Sequence, residues 1–119
     1  MDRQSLLSAL LARVEETRAQ IGEAWPYHAE PATGRWETVE DGDWCGGHWV
    51  ECLRIAGRLE GRPELIEEAR HRTERLRPKL EKDDQFRGHR FYYSAARLCA
   101  ETGDPRLRTL ALAAAYAVR

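Results

Sequence analysis

No stretch of this sequence approaches the roughly 20 consecutive apolar residues of a membrane-spanning helix. No sign of charge dominates either: 19 lysines and arginines stand against 20 aspartates and glutamates, a formal net charge of −1. The first absence argues against a membrane partner. The second removes the global positive field that recruits nucleic acid. Cysteine is scarce, and Cys45, Cys52 and Cys99 lack the even count and spacing of a disulfide framework. Reduced thiols and a cytoplasmic location are therefore expected. The opening MDRQSLLSALLARVEE puts an acidic residue second and charges inside its apolar stripe, which is not the plan of a secretion signal. At 119 residues the chain has room for about one domain.

What is present reads almost entirely as helix. Leu6, Leu7, Leu10, Leu11, Val14 and Ile21 recur at three- and four-residue steps, which predicts a first helix over 3–22 with Asp2 as its N-cap. The segment 23–45 is different. It holds Pro26, Pro31, Gly34 and Gly42 and no sustained period, yet it carries Trp25, Tyr27, Trp36 and Trp44. A stretch of that length without secondary structure of its own is usually a functional loop or disordered, and the aromatic rings argue against disorder. An ordered aromatic loop is expected.

From Gly46 the chain repeats itself. Trp49, Leu53, Ala56 and Leu59 form one helical face, Gly61 stops that helix, and Pro63 starts another carrying Leu65, Ile66, Ala69, Thr73 and Leu76. The plan returns at Gly88, Phe91, Ser94, Gly103, Pro105, Leu107 and Ala111. Glycine can adopt the left-handed conformation that ends a helix, and proline suits the first turn of the next. Two αα-hairpins, at 46–77 and 89–118, are predicted, giving an all-α fold.

The run YHAEPATGRWETVEDGDWCGGHW, together with RFYYSAARLCAETGDPRLRTLALAAAYAV, resembles the N-terminal region of the unsaturated glucuronyl hydrolases, glycoside hydrolase family 88 and its relatives. Tyr27, Pro31, Ala32, Thr33, Gly34 and Trp36, then Asp41, Gly42, Trp44, Gly46, Gly47 and Trp49, carry the likeness, which extends over roughly 25–118. The resemblance implies an (α/α)6 toroid of six hairpins, of which this chain would supply the N-terminal part. It also implies hydrolysis of an oligosaccharide ending in a 4,5-unsaturated uronic acid. In that chemistry an aspartic acid protonates the vinyl-ether bond, water adds, and the hemiketal collapses with loss of the aglycone. No metal or organic cofactor is implied.

Such a site needs a carboxyl that holds a proton near neutral pH and flat faces for the sugar. The family's catalytic aspartate precedes the second inner helix, where the chain reads DDQFRGHRFYYS, so a shift of two or three residues nominates Asp84 or Asp83. Capping of the following helix is the competing reading of that pair. Trp44, Trp36, His48 and His89 are the candidate substrate-binding residues, with Trp44 the sugar platform. Cys45, His48 and Cys52 could share a helix face but lack a fourth ligand, so no metal is expected. The alternative function is a non-catalytic αα-hairpin module. That module would bind a partner through its exposed inner face, whereas a partial toroid leaves the flank of its last hairpin open, so that Leu107, Leu110, Leu112, Tyr116 and Val118 would make the chain self-associate.

Overall fold

A computed structural model describes residues 1–117 and is mostly helical. Helix α1 spans Arg3–Ile21, and the Asp2 carboxylate caps it by accepting from the Ser5 backbone N–H at 2.7 Å. Helices α2 (Gly46–Leu59) and α3 (Pro63–Leu76) form an antiparallel hairpin. Gly61 turns the chain between them at φ 61°, and Pro63 opens α3 where its missing N–H costs nothing. A 3₁₀ turn, Arg77–Glu81, leads to a second long helical rod. That rod is α4 (Arg87–Phe91), one π turn (Tyr92–Ala96) and α5 (Arg97–Thr102) in unbroken succession. Gly103, at φ 72°, ends it, and Asp104 caps α6 (Pro105–Ala117) by accepting from Arg106 N at 2.9 Å. Val118 lies outside the described residues.

One expectation is corrected. The segment 23–45 contains an antiparallel pair, β1 (Trp25–Ala29) and β2 (Trp36–Val39), so the fold is mostly helical with a two-stranded sheet. Register runs from Trp25 opposite Val39 to Ala29 opposite Trp36, with an irregularity between Pro26 and His28. Strands of five and four residues, one bulged and proline-bearing, give too short an alternation for the period of two to show.

The sheet seats the aromatic segment on the helices. Trp25 is fully buried, its ring against Gly42 and Gly46 on one side and under the guanidinium groups of Arg72 and Arg75, 4.9 and 5.1 Å from the ring centroid. Taking such a ring out of water contributes about 5 kcal/mol at about 25 cal/mol per Å². Arg72, itself 1% exposed, donates to the carbonyls of Ala24 (2.6 Å) and Gly22 (2.5 Å), which ties the entry to β1 onto α3.

Helix α2 and the α4–α5 rod lie side by side and parallel. Gly47 meets Arg90, His48 meets His89, Glu51 pairs with Arg97 and Arg54 with Glu101, so partners advance together along both helices. Equivalent positions of the repeat do equivalent work: Trp49 and Phe91 are buried, as are Leu65 and Leu107. Leu107 and Leu110 belong to the core, which corrects the expectation that both lie on an open flank. Leu112 and Tyr116, 40% and 76% exposed, are what that flank presents. No helix among the described residues is long and apolar enough to cross a membrane.

Candidate functional site

A single glycine lets the parallel helices touch. A Cβ on Gly47 would lie 2.3 Å from the Arg90 carbonyl oxygen, so only glycine permits α2 and α4 this backbone-to-backbone approach. Just ahead of α2, Gly42 and Asp43 take consecutive left-handed conformations, φ 83° and 44°. Leu76 and the Trp25 ring fill the space a Gly42 side chain would need. This turn hands Trp44 to the ends of both helices.

A cluster of rings results. His48 and His89 approach with Nε2 to Nε2 at 2.7 Å, a contact that requires one imidazole to donate and the other to accept. The Tyr93 ring lies 5.1 Å from both. Trp44 sits 5.9 Å from His48, 6.5 Å from His89 and 5.2 Å from Phe86, centroid to centroid. The π turn is what delivers Tyr93. Of the adjacent pair, Tyr92 is exposed and Tyr93 is half-buried against the histidines. The sequence shows that two neighbouring tyrosines must point differently, but not which one enters the cluster.

Burial, and then the neighbouring His89, push the His48 pKa below that of an ordinary imidazole. A second proton would set two Nε2–H groups against each other. The unfolded chain therefore binds more protons than the folded one as pH falls below about 6.5. The stability associated with His48 is present above that pH and is lost as pH drops toward the folded pKa. Imidazole proton resonances followed from pH 4 to 8 should place the His48 midpoint below that of a free histidine. His89→Gln should move it upward. An unchanged His48 midpoint in that variant would dissolve the coupling.

The two nominated carboxylates, Asp83 and Asp84, lie at the entrance to α4. Burial raises the Asp84 pKa, but the Arg90 side chain (3.2 Å to Oδ2) and the Phe86 N–H (2.9 Å to Oδ1) outweigh it, and the net shift is downward. Arg90 is 1% exposed and also donates to the Asp43 carbonyl at 2.9 Å, so Asp84 belongs to a clamp joining the two helix entrances. Asp83 is exposed and pairs with Arg87 at 2.7 Å. Both nominated carboxylates therefore stand in ion pairs at the entrance to α4.

Trp36 stands apart from the ring cluster. Its Nε1 donates to Thr17 Oγ1 at 3.0 Å and the Arg13 guanidinium lies 5.7 Å from its ring, so it braces β2 against α1. Cys45 is a buried-side thiol whose pKa is raised first by desolvation, and its Sγ points to the Pro26 carbonyl at 3.8 Å. Among the described residues no three His, Cys, Asp or Glu side chains converge as metal ligands.

Trp44, Trp36 and His48 share a second feature. They line a groove of about 530 Å³ between α1, the β-hairpin and α2, walled by Leu10, Val14, Trp49 and Ile55. Trp44 and His48 thus face both the groove and the ring cluster. The groove was not legible in the sequence, because its walls come from three elements. No family model, no curated protein and no solved structure matches the chain.

Proposed function

We propose that the chain binds an unsaturated uronic-acid oligosaccharide, as the N-terminal part of a six-hairpin toroid of the unsaturated glucuronyl hydrolase kind. One observation carries the reading: Trp44, His48, His89 and Tyr93 gather, partly exposed, where two parallel helices begin. An indole face accepts the apolar face of a sugar ring. The imidazole pair and the tyrosine hydroxyl offer donors and acceptors for hydroxyl and carboxylate groups. Asp84 suits accepting a hydrogen bond from a sugar hydroxyl or stabilising positive charge. Asp84, with Asp83 beside it, is the carboxyl this reading assigns to protonation of the vinyl ether, and turnover is assigned to the complete toroid. The reading calls for no metal, no organic cofactor and no nucleic acid, and it fits a cytoplasmic protein.

A second reading, a non-catalytic hairpin module, has its own support. A groove of about 350 Å³ between the second rod and α6 is lined by Gly88, Phe91, Tyr92, Ala96, Ala111, Ala114 and Ala115, with Leu112 and Tyr116 exposed on the same terminal helix. Self-association there is the function it offers.

Trp44→Ala separates the readings. Calorimetric titration with an unsaturated uronyl disaccharide should show at least about tenfold weaker binding, roughly 1.4 kcal/mol, in line with one lost ring contact. Helical circular dichroism should be retained. Equal affinities would remove Trp44 from the site, and loss of the helical signal would assign it to the core.

A further inference from the structure

The groove beside the ring cluster differs from it in chemistry. A volume of about 530 Å³ lies within the range of small-molecule sites. Its walls are mainly Leu10, Val14, Trp36, Trp49 and Ile55. Several polar groups on those walls are already engaged, while the buried Nε1 of Trp49 has no hydrogen-bond partner among the described residues. Arg13 donates to the Gly34 carbonyl at 2.6 Å, Thr17 donates to the Arg13 carbonyl and accepts from Trp36, and the Cys45 thiol faces Pro26. Away from the mouth, Tyr27 and Cys52 add one hydroxyl and one thiol. A further sugar residue placed there would lose water from its hydroxyls and find few partners, which is costly. An alkyl or aryl group would lose nothing and would cover side chains that now meet water, since Leu10 and Ile55 are 56% and 39% exposed.

The groove is also continuous with the proposed saccharide site, because Trp44 and His48 line both. We infer that the groove receives the apolar aglycone of a uronic-acid glycoside whose sugar rests on the ring cluster. This rests on the saccharide reading and extends its substrate class to uronic-acid glycosides whose attached group is alkyl or aryl, with the indole of Trp44 at the junction.

The test compares two glycosides that share a sugar, methyl β-D-glucuronide and 2-naphthyl β-D-glucuronide, by calorimetric titration against the full chain. The naphthyl compound should bind at least tenfold tighter. In Leu10→Asn, and separately in Ile55→Asn, that ratio should fall to near one; both positions are exposed, so either variant that folds carries the test. The naphthyl compound should slow alkylation of Cys52 by N-ethylmaleimide, and the methyl compound should not. Equal affinity of the two glycosides would overturn the inference and leave the saccharide reading standing. So would failure of both glucuronides to bind while the unsaturated disaccharide binds. If the disaccharide fails as well, both conclusions fall. Binding of 2-naphthol alone as tightly as its glucuronide would overturn the inference, because the groove would then act without the sugar site. Sedimentation showing a dimer that Leu10→Asn dissociates would overturn it too, by seating a second copy in the groove.

Discussion

Gly47→Ala is expected to lower the stability of the chain by about 3 kcal/mol, near the upper end of what overpacking costs. The added methyl would sit 2.3 Å from the Arg90 carbonyl oxygen, and a backbone atom of a packed helix cannot swing aside as a side-chain tip can. Relief requires α2 and α4 to separate. For a domain of this size the melting midpoint should drop by roughly 10–15 °C. Because His48 and His89 meet only through that approach, the Gly47→Ala protein should also lose the part of the His48 pKa depression that His89 causes. Gly61→Ala is the contrast. Nothing lies within 4 Å of its Cβ position, and only its positive φ opposes a side chain, so a loss of about 1 kcal/mol is expected there. Urea denaturation of the three proteins decides the matter; a Gly47→Ala midpoint within experimental scatter of wild type would show that the helices have room to spare.

Arg72→Ala is the second large effect. The guanidinium is buried, holds the carbonyls of Ala24 and Gly22, and lies over the face of Trp25. Its nearest carboxylate, Glu68, is 4.0 Å away, so the backbone carbonyls and the indole face do most of the stabilising. Burial lowers its pKa, and no strong ion pair offsets that. Truncation removes two charge-assisted hydrogen bonds, exposes the indole face and unties the β-hairpin from α3, for an expected loss of about 3 kcal/mol. Arg72→Lys should recover only part of it, because an ammonium cannot fork to two carbonyls. Arg75→Ala, on the same ring but half-buried, should cost about 1 kcal/mol or less. Arg75 also donates to one carbonyl, that of Glu23 at 2.6 Å, so near-equal losses would mean that the buried fork to two carbonyls contributes no more than that single bond.

Local chemistry made much of this chain readable in advance. Asp2 and Asp104 cap helices because a carboxylate at that position accepts free N–H groups, whatever the tertiary structure. Gly61, Gly103, Pro63 and Pro105 punctuate the hairpins because φ preferences are properties of single residues. The buried pairs Trp49 with Phe91 and Leu65 with Leu107 follow from the same spacing in the two halves. The β-hairpin was hidden because its strands are short and bulged, and because its stability comes from Trp25 beneath two arginines of α3 rather than from alternation.

The site divides in the same way. Trp44, His48 and His89 are recognisable as ring-bearing residues near helix starts, and so they could be nominated from the sequence. That the two imidazoles meet depends on Gly47 passing Arg90, a contact between positions more than forty residues apart. The selection of Tyr93 over Tyr92 depends on a π turn, whose extra residue per turn leaves no mark in a pattern of apolar spacing. The lowered pKa of Asp84 depends on Arg90, which reaches it across the entrance to α4 while holding the Asp43 carbonyl. Residue types and their spacing determined the helices, their ends and the nominees. Which nominees touch, and which carboxylate has its pKa lowered, only the packing of α2 against α4 decided, because a pKa and a ring contact are set by neighbours in space.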